Sequence, residues 1–535
     1  MPRAHGATAL ATAALLALPL AAGAAPAPDD GPGLPLGAAA LPETRHTEEL
    51  APGVTLTRIV RGDAEATYPW TVEVSVPAGS GSPDPDAPAT ALRDRASAEE
   101  VVAELRAAGL DARTEEVRTQ PTADFAGGSL GWRVRVGSFT DRAAADAART
   151  LVVAAGHRGS TISTAWDADG EEDRGPWRVD VLTVDPRHFR GEIAASLGPD
   201  VERRETTSEL AALSGALAAV NGGFFVLDPR AGAPGDPAGV AVVDGELVSE
   251  PVGDRPALLL RPDARRTEVE RLTWEGELRA GGTRLPLDGV NRVPGLVRNC
   301  GGLDDLPTTL PLHDTTCTDP DELVVFTGTY AATTPAGPGT EVVLDARGRV
   351  AEVRAERGGP VPQDGRTVQA TGDLAPVLRG LALEGTRLDV RTSLHDEAGR
   401  PVHPSRYPAV VNGGPELVRD GARHVTVAAD GMVHPDNPSF YYGWAHKRNP
   451  RTLAGVDAQG RLVLVTADGR STDALGLSIP EAADVAVGLG LREALNLDGG
   501  GSTAMVVGDR LLTVPSDAAG ERPVGDAVLV LPGRS

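Results

Sequence analysis

The sequence predicts an α+β protein in two parts: a small domain with the order βαββαβ, then a larger strand-rich domain with a β-rich insertion. The chain has 535 residues and 41% hydrophobic content, enough for more than one packed core. Strand and helix patterns alternate in its first third, whereas short strands between Gly, Pro and Asp turns dominate the rest. A Pro/Gly-rich stretch up to about Pro42 and an acidic stretch at 167–175 break the composition and indicate the boundaries.

The amino terminus has the pattern of a secretory signal peptide. An Ala/Leu-rich run from about Ala7 to Ala22 follows a basic start and precedes small residues that suit a cleavage site. The run is shorter than the ~20 residues that span a bilayer. We therefore expect residues 1–24 to be a signal peptide and the mature protein to be secreted, extracellular or cell-wall associated, with no membrane span. Residues 25–67 are predicted to be a spacer with one short strand near 54–60.

The elements of the small domain follow from hydrophobic periodicity. Ser97, with Glu100 completing a capping box, predicts the start of a first helix that ends at Gly109. A second helix is predicted over 141–155. Alternating apolar residues predict strands over 70–76, 110–117, 132–136 and 160–165.

A short motif between the third strand and the second helix resembles a known domain. The run Val134-Arg-Val-Gly-Ser-Phe-Thr140, followed by an Ala-rich helix, resembles the signature of the SPOR (sporulation-related repeat) domain. The resemblance covers residues 68–166 and implies a module that binds peptidoglycan. A spacer domain without a ligand is the alternative interpretation. Residues 167–176 are predicted to be a linker.

The large domain is predicted over residues 177–535. Strands alternate there with Gly/Pro/Asp turns, and helices are predicted over 207–219, after Thr/Ser caps, and over 479–489, with Pro480 near the first helical position. Residues 321–408 are interpreted as a β-rich insertion, with strands at 322–326, 340–344 and 388–391.

Charge and cysteine content narrow the function classes. The formal net charge of −24 disfavours nucleic acid as a partner, because a polyanion binds to a basic surface. Cys300 and Cys317 lie in one Gly/Asp/Thr-rich segment of a chain predicted to be exported. A disulfide between them is favoured there over a catalytic thiol or a metal site.

Four segments share one design, a hydrophobic strand that runs into a Gly-rich turn with Asn or Asp at the junction. A strand holds the polar side chain rigidly, while glycines let the backbone approach a ligand and direct N–H groups at its oxygens. A lone Asn-Gly-Gly is an ordinary turn, but three glycines after Asn496-Leu-Asp498 indicate a further demand on that backbone. The segments are 219–225, 410–416, 448–457 and 495–503.

Together and in this order, the four segments resemble the catalytic domain of the phosphodiester glycosidase family. The match runs from about Val179 to Leu531 and is most specific at 449–457, 462–470, 476–478 and 494–502. It implies a hydrolase that cleaves a sugar, N-acetylglucosamine-like, from a phosphate. The site residues that we carry over to this chain are Asn221, Gly222, Gly223, Phe224, Asn412, Gly413, Arg451, Asp498, Gly499, Gly500, Gly501 and Ser502.

We infer the roles of these residues from their chemistry. Asp498 can act as nucleophile or activate water, and Asn221 is placed beside it in the catalytic group. Arg451 can clamp the phosphate, helped by the N–H groups of the glycines after Asp498. A phosphate monoester can leave as an anion, so a strong general acid is not required. If one is needed, Asp457 and Glu416 are the candidates, and no cofactor is predicted.

An aromatic segment, 434–447, stands out in a chain with 3% aromatic residues. It is either a platform for a sugar ring or a hydrophobic plug. His434, Asp436 and His446 could bind a divalent metal, but no helical His spacing supports this, and a solvated loop is favoured.

Three functions are compatible with these observations. The favoured one is an exported hydrolase of a glycosyl phosphodiester that acts at the cell wall, held on peptidoglycan by the small domain. A glycoside hydrolase acting on peptidoglycan or exopolysaccharide is the second. A non-catalytic wall-binding protein is the third.

Overall fold

The structure is a computed structural model that describes residues 33–76, 90–168, 173–229, 232–253, 255–298, 306–307, 316–434 and 437–533. The predicted signal peptide and Cys300 lie outside these residues, so the signal peptide and the disulfide of Cys300 with Cys317 stay predictions. The α+β fold class is confirmed. Across the described ranges, no helix has the length and apolar character needed to cross a membrane.

The strands are numbered β1 to β36 in chain order. The amino-terminal part contains β1 (Glu43–Ala51), β2 (Val54–Arg61), β3 (Trp70–Ser75), β4 (Ala112–Thr119), β5 (Gly128–Phe139) and β6 (Arg158–Ser163). The next part contains β7 (Trp177–Val184), β8 (Glu192–Ser196), β9 (Glu205–Thr206), β10 (Ala218–Asn221), β11 (Ala241–Val243), β12 (Glu246–Ser249), β13 (Pro256–Leu260) and β14 (Thr267–Arg271).

The middle of the chain contains β15 (Thr273–Ala280), β16 (Thr283–Pro286), β17 (Gly289–Val290), β18 (Val297–Arg298), β19 (Leu306–Pro307), β20 (Thr316–Thr318), β21 (Leu323–Thr327), β22 (Gly337–Leu344), β23 (Val350–Arg357), β24 (Arg366–Ala370), β25 (Asp389–His395) and β26 (Pro401–Val402). The last part contains β27 (Ala409–Asn412), β28 (Glu416–Arg419), β29 (Ala422–Arg423), β30 (Arg451–Asp457), β31 (Leu462–Ala467), β32 (Leu491–Asn496), β33 (Met505–Val507), β34 (Arg510–Leu511), β35 (Pro523–Val524) and β36 (Ala527–Leu531). The α-helices are α1 (Arg95–Ala107), α2 (Arg142–Ala154), α3 (Thr207–Ser214), α4 (Leu374–Leu381), α5 (Pro438–Tyr441) and α6 (Ile479–Gly488).

The small domain has the element order β3-α1-β4-β5-α2-β6, with the sheet order β4-β5-β3-β6. Buried residues of both helices share one core with the sheet. The predicted cap of α1 was one turn too late. Asp94, not Ser97, is the N-cap, and its carboxylate accepts the N–H of Ser97 at 3.0 Å. The carboxylate of a residue three positions earlier in the chain therefore caps the helix.

The main sheet of the large domain has eight strands in the described residues, in the order β1-β2-β7-β31-β30-β32-β28-β29. Its first two strands correct the sequence prediction, which had only one short strand in the segment 25–67. β2 pairs antiparallel with β7 along its whole length, and Val54 and Leu56 are fully buried. The amino-terminal hairpin is thus part of the large domain's sheet.

The helix predicted over 207–219 is also corrected. α3 ends at Ser214 because Gly215 adopts the left-handed conformation (φ 63°) and caps the helix. The chain is then free to enter β10, which carries the first Asn-Gly-Gly turn at its end. The hydrophobic periodicity therefore predicted one long helix where Gly215 ends a helix and a strand follows.

The small domain docks on the large one through a buried polar network. Val72 and Val74 of β3 face the small domain's own core, so the alternating Glu73 lies on the other face of the sheet. There Glu73 accepts hydrogen bonds from the Tyr442 hydroxyl and from Lys447 Nζ, both at 2.6 Å. The sheet face that the helices leave open is thus covered by the large domain.

Candidate functional site

The ends of five strands meet at one place in the large domain. β10 and β36 pair so that Asn221 lies opposite Ala527. β30 and β32 pair so that Leu453 lies opposite Asn496. β27, from another sheet, ends at Asn412. The three Gly-rich turns that follow β10, β27 and β32 are therefore brought together.

Asn221 holds two of these turns in place. It is fully buried, and its Nδ2 donates to the carbonyl oxygen of Asp498 at 2.8 Å. Its Oδ1 accepts the Thr452 hydroxyl at 2.6 Å and the Ala504 N–H at 3.1 Å. Both polar atoms of the side chain are engaged inside the protein, so Asn221 fixes the backbone that carries Asp498.

Asn412 joins the first and second Asn-Gly-Gly turns. Its Oδ1 accepts the Phe224 N–H at 2.9 Å, and its Nδ2 donates to the Phe224 carbonyl at 3.3 Å. Any side chain at Gly223 would collide with Asn412, and one at Gly413 would meet Leu495. These glycines are therefore required for close approach of the two turns.

Asp498 follows β32 and is half-buried. Its N–H donates to the Gly222 carbonyl at 3.1 Å, and its Oδ1 accepts the Gly499 N–H at 2.9 Å. The next residues, Gly500–Ser502, form a 3₁₀ turn. Ser502 is 1% exposed, and its Oγ has no hydrogen-bond partner within the part of the chain that the structure describes.

Arg451 begins β30 beside this turn and is 2% exposed. Its Nε donates to the Leu477 carbonyl at 2.9 Å and its Nη2 donates to the Trp444 carbonyl, while Nη1 makes no hydrogen bond to any described residue. Burial, and then the like charge of Arg470, lower the pKa of Arg451 to about 9. Arg451 remains protonated at neutral pH, but as one of two neighbouring cations.

Two arginines at this turn were not assigned from the sequence. A side chain at Gly500 would lie 3.1 Å from Arg470 Nη2, and one at Gly501 would collide with the Arg522 guanidinium. Arg470 lies within the most specific part of the match, but the sequence alone does not show which arginine of a loop turns inward. The guanidinium groups of Arg470 and Arg522 thus border Gly500 and Gly501, and the side-chain stem of Arg451 lies near Gly499.

Asp526, immediately before β36, is a further buried carboxyl that the sequence analysis missed. It is 3% exposed, and its Oδ1 accepts the Gly223 N–H at 2.8 Å. Burial raises its pKa to about 7, and the negative charge of Asp498 contributes to the rise. The signal was the pair Gly525-Asp526, which precedes its strand, whereas the predicted Gly-rich turns follow theirs.

The two carboxylates suggested as a general acid lie in other surroundings. Asp457 is at the opposite end of β30 from Arg451, where it accepts bonds from Gln459 and Arg461. Glu416 accepts two hydrogen bonds from Arg419, at 2.7 and 2.6 Å. Both are committed to ion pairs, so neither fits the role of a proton donor.

The aromatic segment is a plug between the domains. Tyr441 and Tyr442 are each 1% exposed, and Tyr441 lies within hydrogen-bond distance of the small domain's Thr119. Residues Tyr442–His446 form a π-helical turn. Asp436 lies outside the described residues, and no group of His, Cys, Asp and Glu side chains in the described ranges is arranged to hold a metal ion.

A cleft of about 480 Å³ lies elsewhere, largely within the predicted insertion. Acidic and basic side chains alternate along it, among them Asp345, Arg347, Asp364 and Arg366. None of the predicted site residues lines this cleft. The Gly-rich turns and the cleft are therefore separate features.

The link between the first two turns gives a first prediction. Asn412→Ala leaves the N–H and carbonyl of Phe224 without their side-chain partner, so we expect a loss of about 1–3 kcal/mol in the free energy of unfolding. Amide hydrogen exchange at Phe224 should also accelerate. Asn291→Ala is the matched control, because Asn291 is another buried Asn, bonded to Val248 and Thr327 in a different region. It should lower stability without changing exchange at Phe224; equal exchange in both variants would contradict the link.

Two parts of the chain match known protein families. Residues 339–531 match the phosphodiester glycosidase family, and residues 89–163 match the SPOR domain. The chain is similar to N-acetylglucosamine-1-phosphodiester α-N-acetylglucosaminidase of Mus musculus, with 31% identity over 160 residues, 30% of this chain and 30% of the mouse protein. It is also similar to the Homo sapiens protein of that name, with 27% identity over 207 residues, 35% of this chain and 39% of the human protein. The chain thus matches well under half the length of these relatives.

Solved structures extend the similarity over nearly the whole chain. A candidate exported protein of Burkholderia pseudomallei K96243 has 34% identity and a TM-score of 0.81, over 95% of this chain and 99% of that one. A hypothetical protein from Synechocystis has 18% identity and a TM-score of 0.52, over 91% of this chain and 76% of that one, and shares the fold alone. The chain therefore belongs to one family with the Burkholderia protein, and it carries a SPOR domain and a phosphodiester glycosidase domain.

Proposed function

We propose that this chain hydrolyses a glycosyl phosphodiester by breaking the bond between the sugar C1 and the phosphate oxygen. The observation that carries the proposal is that two like-charged side chains, Arg451 and Arg470, lie near each other beside the glycine turn that begins with Asp498. A site for this reaction needs cationic groups for the phosphate and a carboxylate for the anomeric carbon. Arg451 and Arg470 are the cationic groups, and Asp498 is the carboxylate, at the Gly-rich turn.

The arginine pair favours an anionic substrate. Two guanidinium groups close enough to lower the pKa of one of them repel each other, and a bound phosphodiester would relieve that repulsion. Arg451 Nη1 is available to donate to a phosphate oxygen, since it makes no hydrogen bond to the described residues. Arg522, at Gly501, is paired with Asp517 and so adds little net charge to this pair. Backbone N–H groups of the turn add donors that glycine leaves unshielded.

Asp498 is the group that we assign to the anomeric carbon. As a carboxylate it acts either as the nucleophile or as the base for an attacking water. Asn221 is a positioning residue, because both of its polar atoms are used to hold the strand ends that carry Asp498. Phe224 and Asn412 line the adjacent turns and shape the sugar side of the site.

The proposed substrate is an α-N-acetylglucosamine phosphodiester, the class named by the mouse and human relatives. The proposed place of action is outside the cell, at the cell wall. The candidate exported relative and the SPOR domain support this location. Because the large domain covers the open sheet face of the SPOR domain around Glu73, peptidoglycan would contact its helices or sheet edges instead.

The test is hydrolysis in water enriched in ¹⁸O. The protein is incubated with the α-N-acetylglucosamine phosphodiester of a simple alcohol, and free sugar and phosphomonoester are measured by mass spectrometry. We expect equal amounts of both products, with ¹⁸O on the sugar. Label on the phosphate would show cleavage of the P–O bond and contradict the proposal. Equal activity on an aryl N-acetylglucosaminide without phosphate would favour an ordinary glycoside hydrolase, and binding to sacculi without turnover would favour a wall-binding protein.

Arg451→Met tests the phosphate contact in the same assay. A charge-assisted hydrogen bond contributes about 1.5–3 kcal/mol, so we expect KM for the phosphodiester to rise about 10- to 100-fold. Arg391→Met is the matched control, because Arg391 is an exposed arginine on β25, paired with Asp389. An unchanged KM in Arg451→Met would remove Arg451 from the phosphate site.

A further inference from the structure

We infer that Asp526 is the proton donor to the departing phosphate oxygen and works as a pair with Asp498. The inference rests on the proposed function and adds a residue that the resemblance did not mark. Its basis is the way in which these two residues hold one turn. The N–H of Gly222 donates to the Asp526 carbonyl at 2.9 Å, and the Gly222 carbonyl accepts the N–H of Asp498 at 3.1 Å.

The carboxyl group of Asp526 is fixed against the same turn. Its Oδ1 accepts the Gly223 N–H, and any side chain at Gly222 would collide with this carboxyl group. Gly222 therefore lets the carboxyl approach the backbone at the point where the strands carrying Asn221 and Asp498 end.

The second oxygen of Asp526 is available for chemistry. Oδ2 makes no hydrogen bond to any residue in the described ranges, yet it is not among their fully buried unpaired atoms. It therefore remains accessible in a residue that is only 3% exposed. Hidden unpaired carboxyl oxygens are costly, so an accessible oxygen on a nearly buried side chain indicates a place for a ligand atom.

The charges around Asp526 favour its protonated form. Burial is the largest influence on its pKa, the Gly223 N–H opposes it, and Asp498 across the turn adds to it, with a result of about 7. The turn after β10 offers no charged side chain between Asn221 and Phe224. Arg522, on the stretch that leads into β36, is paired with Asp517 at 2.7 Å. A group with a pKa near 7 can donate a proton at neutral pH and regain it afterwards.

The reaction step balances with these two groups. Water forms a bond to the sugar C1 while the C1–O bond to phosphate breaks, and the electron pair of that bond stays on the phosphate oxygen. Asp498 takes a proton from the water, and Asp526 gives its proton to the departing oxygen. The products are the free sugar and a phosphomonoester. Transfer of a proton from Asp498 to Asp526 through solvent restores the starting state.

The test is the pH dependence of kcat/KM for the α-N-acetylglucosamine phosphodiester. We expect activity of the parent to fall as pH rises through about 7, because Asp526 then loses its proton. Asp526→Asn should lose that descending limb and about 10²-fold in activity, the lower end of the range for general acids, since phosphate is a good leaving group. Asp288→Asn is the matched control, because Asp288 is another carboxyl with a raised pKa, of about 6, and accepts the backbone N–H of Leu323.

The outcomes separate the inference from the proposed function. A parent that releases no sugar overturns both. An active parent without a descending limb near pH 7 overturns the role of Asp526 even if Asp526→Asn does not fold. A folded Asp526→Asn variant that keeps the parent's limb does the same and leaves the proposed function standing. If Asp288→Asn also lost the descending limb of the pH profile, that limb would report on folding and the role of Asp526 would be overturned.

Discussion

Asp498→Asn is expected to lower kcat about 10³-fold or more, with little change in the thermal midpoint. The amide keeps an oxygen that can accept the Gly499 N–H, so the turn should hold its shape. What the substitution removes is the negative charge that attacks, or that activates water, at the sugar C1. The measurement is kcat for release of N-acetylglucosamine from the phosphodiester, together with a thermal melt.

Asp345→Asn is the control for this prediction. Asp345 also follows a strand, β22, and its Oδ1 accepts backbone N–H groups of Arg347 and Arg349. It lies beside the insertion cleft, away from the Gly-rich turns. Its variant should keep the parent's kcat. If Asp498→Asn retained more than a tenth of the parent's activity, another group would have to carry out the attack.

The fold class could be predicted because periodicity and turn residues are local signals. The βαββαβ order and the strands around β30 and β31 lie in segments with clear alternation. The amino-terminal hairpin was missed because β1, Glu43–Ala51, is mostly polar and partly exposed. β1 pairs with β2 in a local hairpin, but the pairing of β2 with β7 depends on contacts more than a hundred residues away in sequence. Local patterns do not contain that information.

Apart from Arg451 and Ser502, which came from the resemblance alone, the polar residues of the candidate site could be predicted only where they stand at the end of a strand before glycine. That rule found Asn221, Asn412 and Asp498, whose turns the structure brings together. It did not find Asp526, which precedes its strand, or Arg470, which occupies a loop with positive φ (57°). Whether a charged side chain turns inward is decided by packing between distant strands, so these residues required the three-dimensional structure.

The aromatic segment shows the same limit. Sequence composition does not distinguish a sugar platform from a hydrophobic plug, since both use several Tyr and Trp side chains in one loop. The structure places Tyr442 against Glu73 and Arg133 of the small domain. The partner surface is formed by another domain, whose arrangement the loop sequence does not encode. The plug also reaches the site, because Arg451 donates to the carbonyl of Trp444.

Asp167→Asn is expected to lower the free energy of unfolding by about 3–5 kcal/mol, the largest stability change among the variants considered. Asp167 is 3% exposed and accepts hydrogen bonds from both terminal nitrogens of Arg135, at 2.6 and 2.9 Å. Removal of the Asp167 charge leaves the buried Arg135 with only the longer ion pairs to Glu73 and Glu115, at 3.2 and 3.5 Å. The measurement is urea unfolding at neutral pH. Glu99→Gln, which breaks the exposed pair of Arg95 and Glu99, is the control and should cost less than about 0.5 kcal/mol.

The pH dependence of this loss has a definite sign. Burial would raise the pKa of Asp167, but Arg135 and Arg133 lower it below its ordinary value. A depressed carboxyl contributes stability above its unfolded pKa of about 4 and loses it as pH falls through the folded pKa. The difference between parent and Asp167→Asn should therefore be full at neutral pH and shrink below pH 4. A difference that stays constant down to pH 2 would assign the loss to packing.

The same variant tests whether the small domain supports the site. Arg135 also contacts Glu73, which binds Tyr442 at the start of the π-helical turn, and Trp444 of that turn accepts a hydrogen bond from Arg451. Weakening the network should therefore loosen Arg451, and KM for the phosphodiester should rise in Asp167→Asn under conditions where the protein stays folded. An unchanged KM together with the full stability loss would mean that the SPOR domain stabilises the large domain without positioning its phosphate contact.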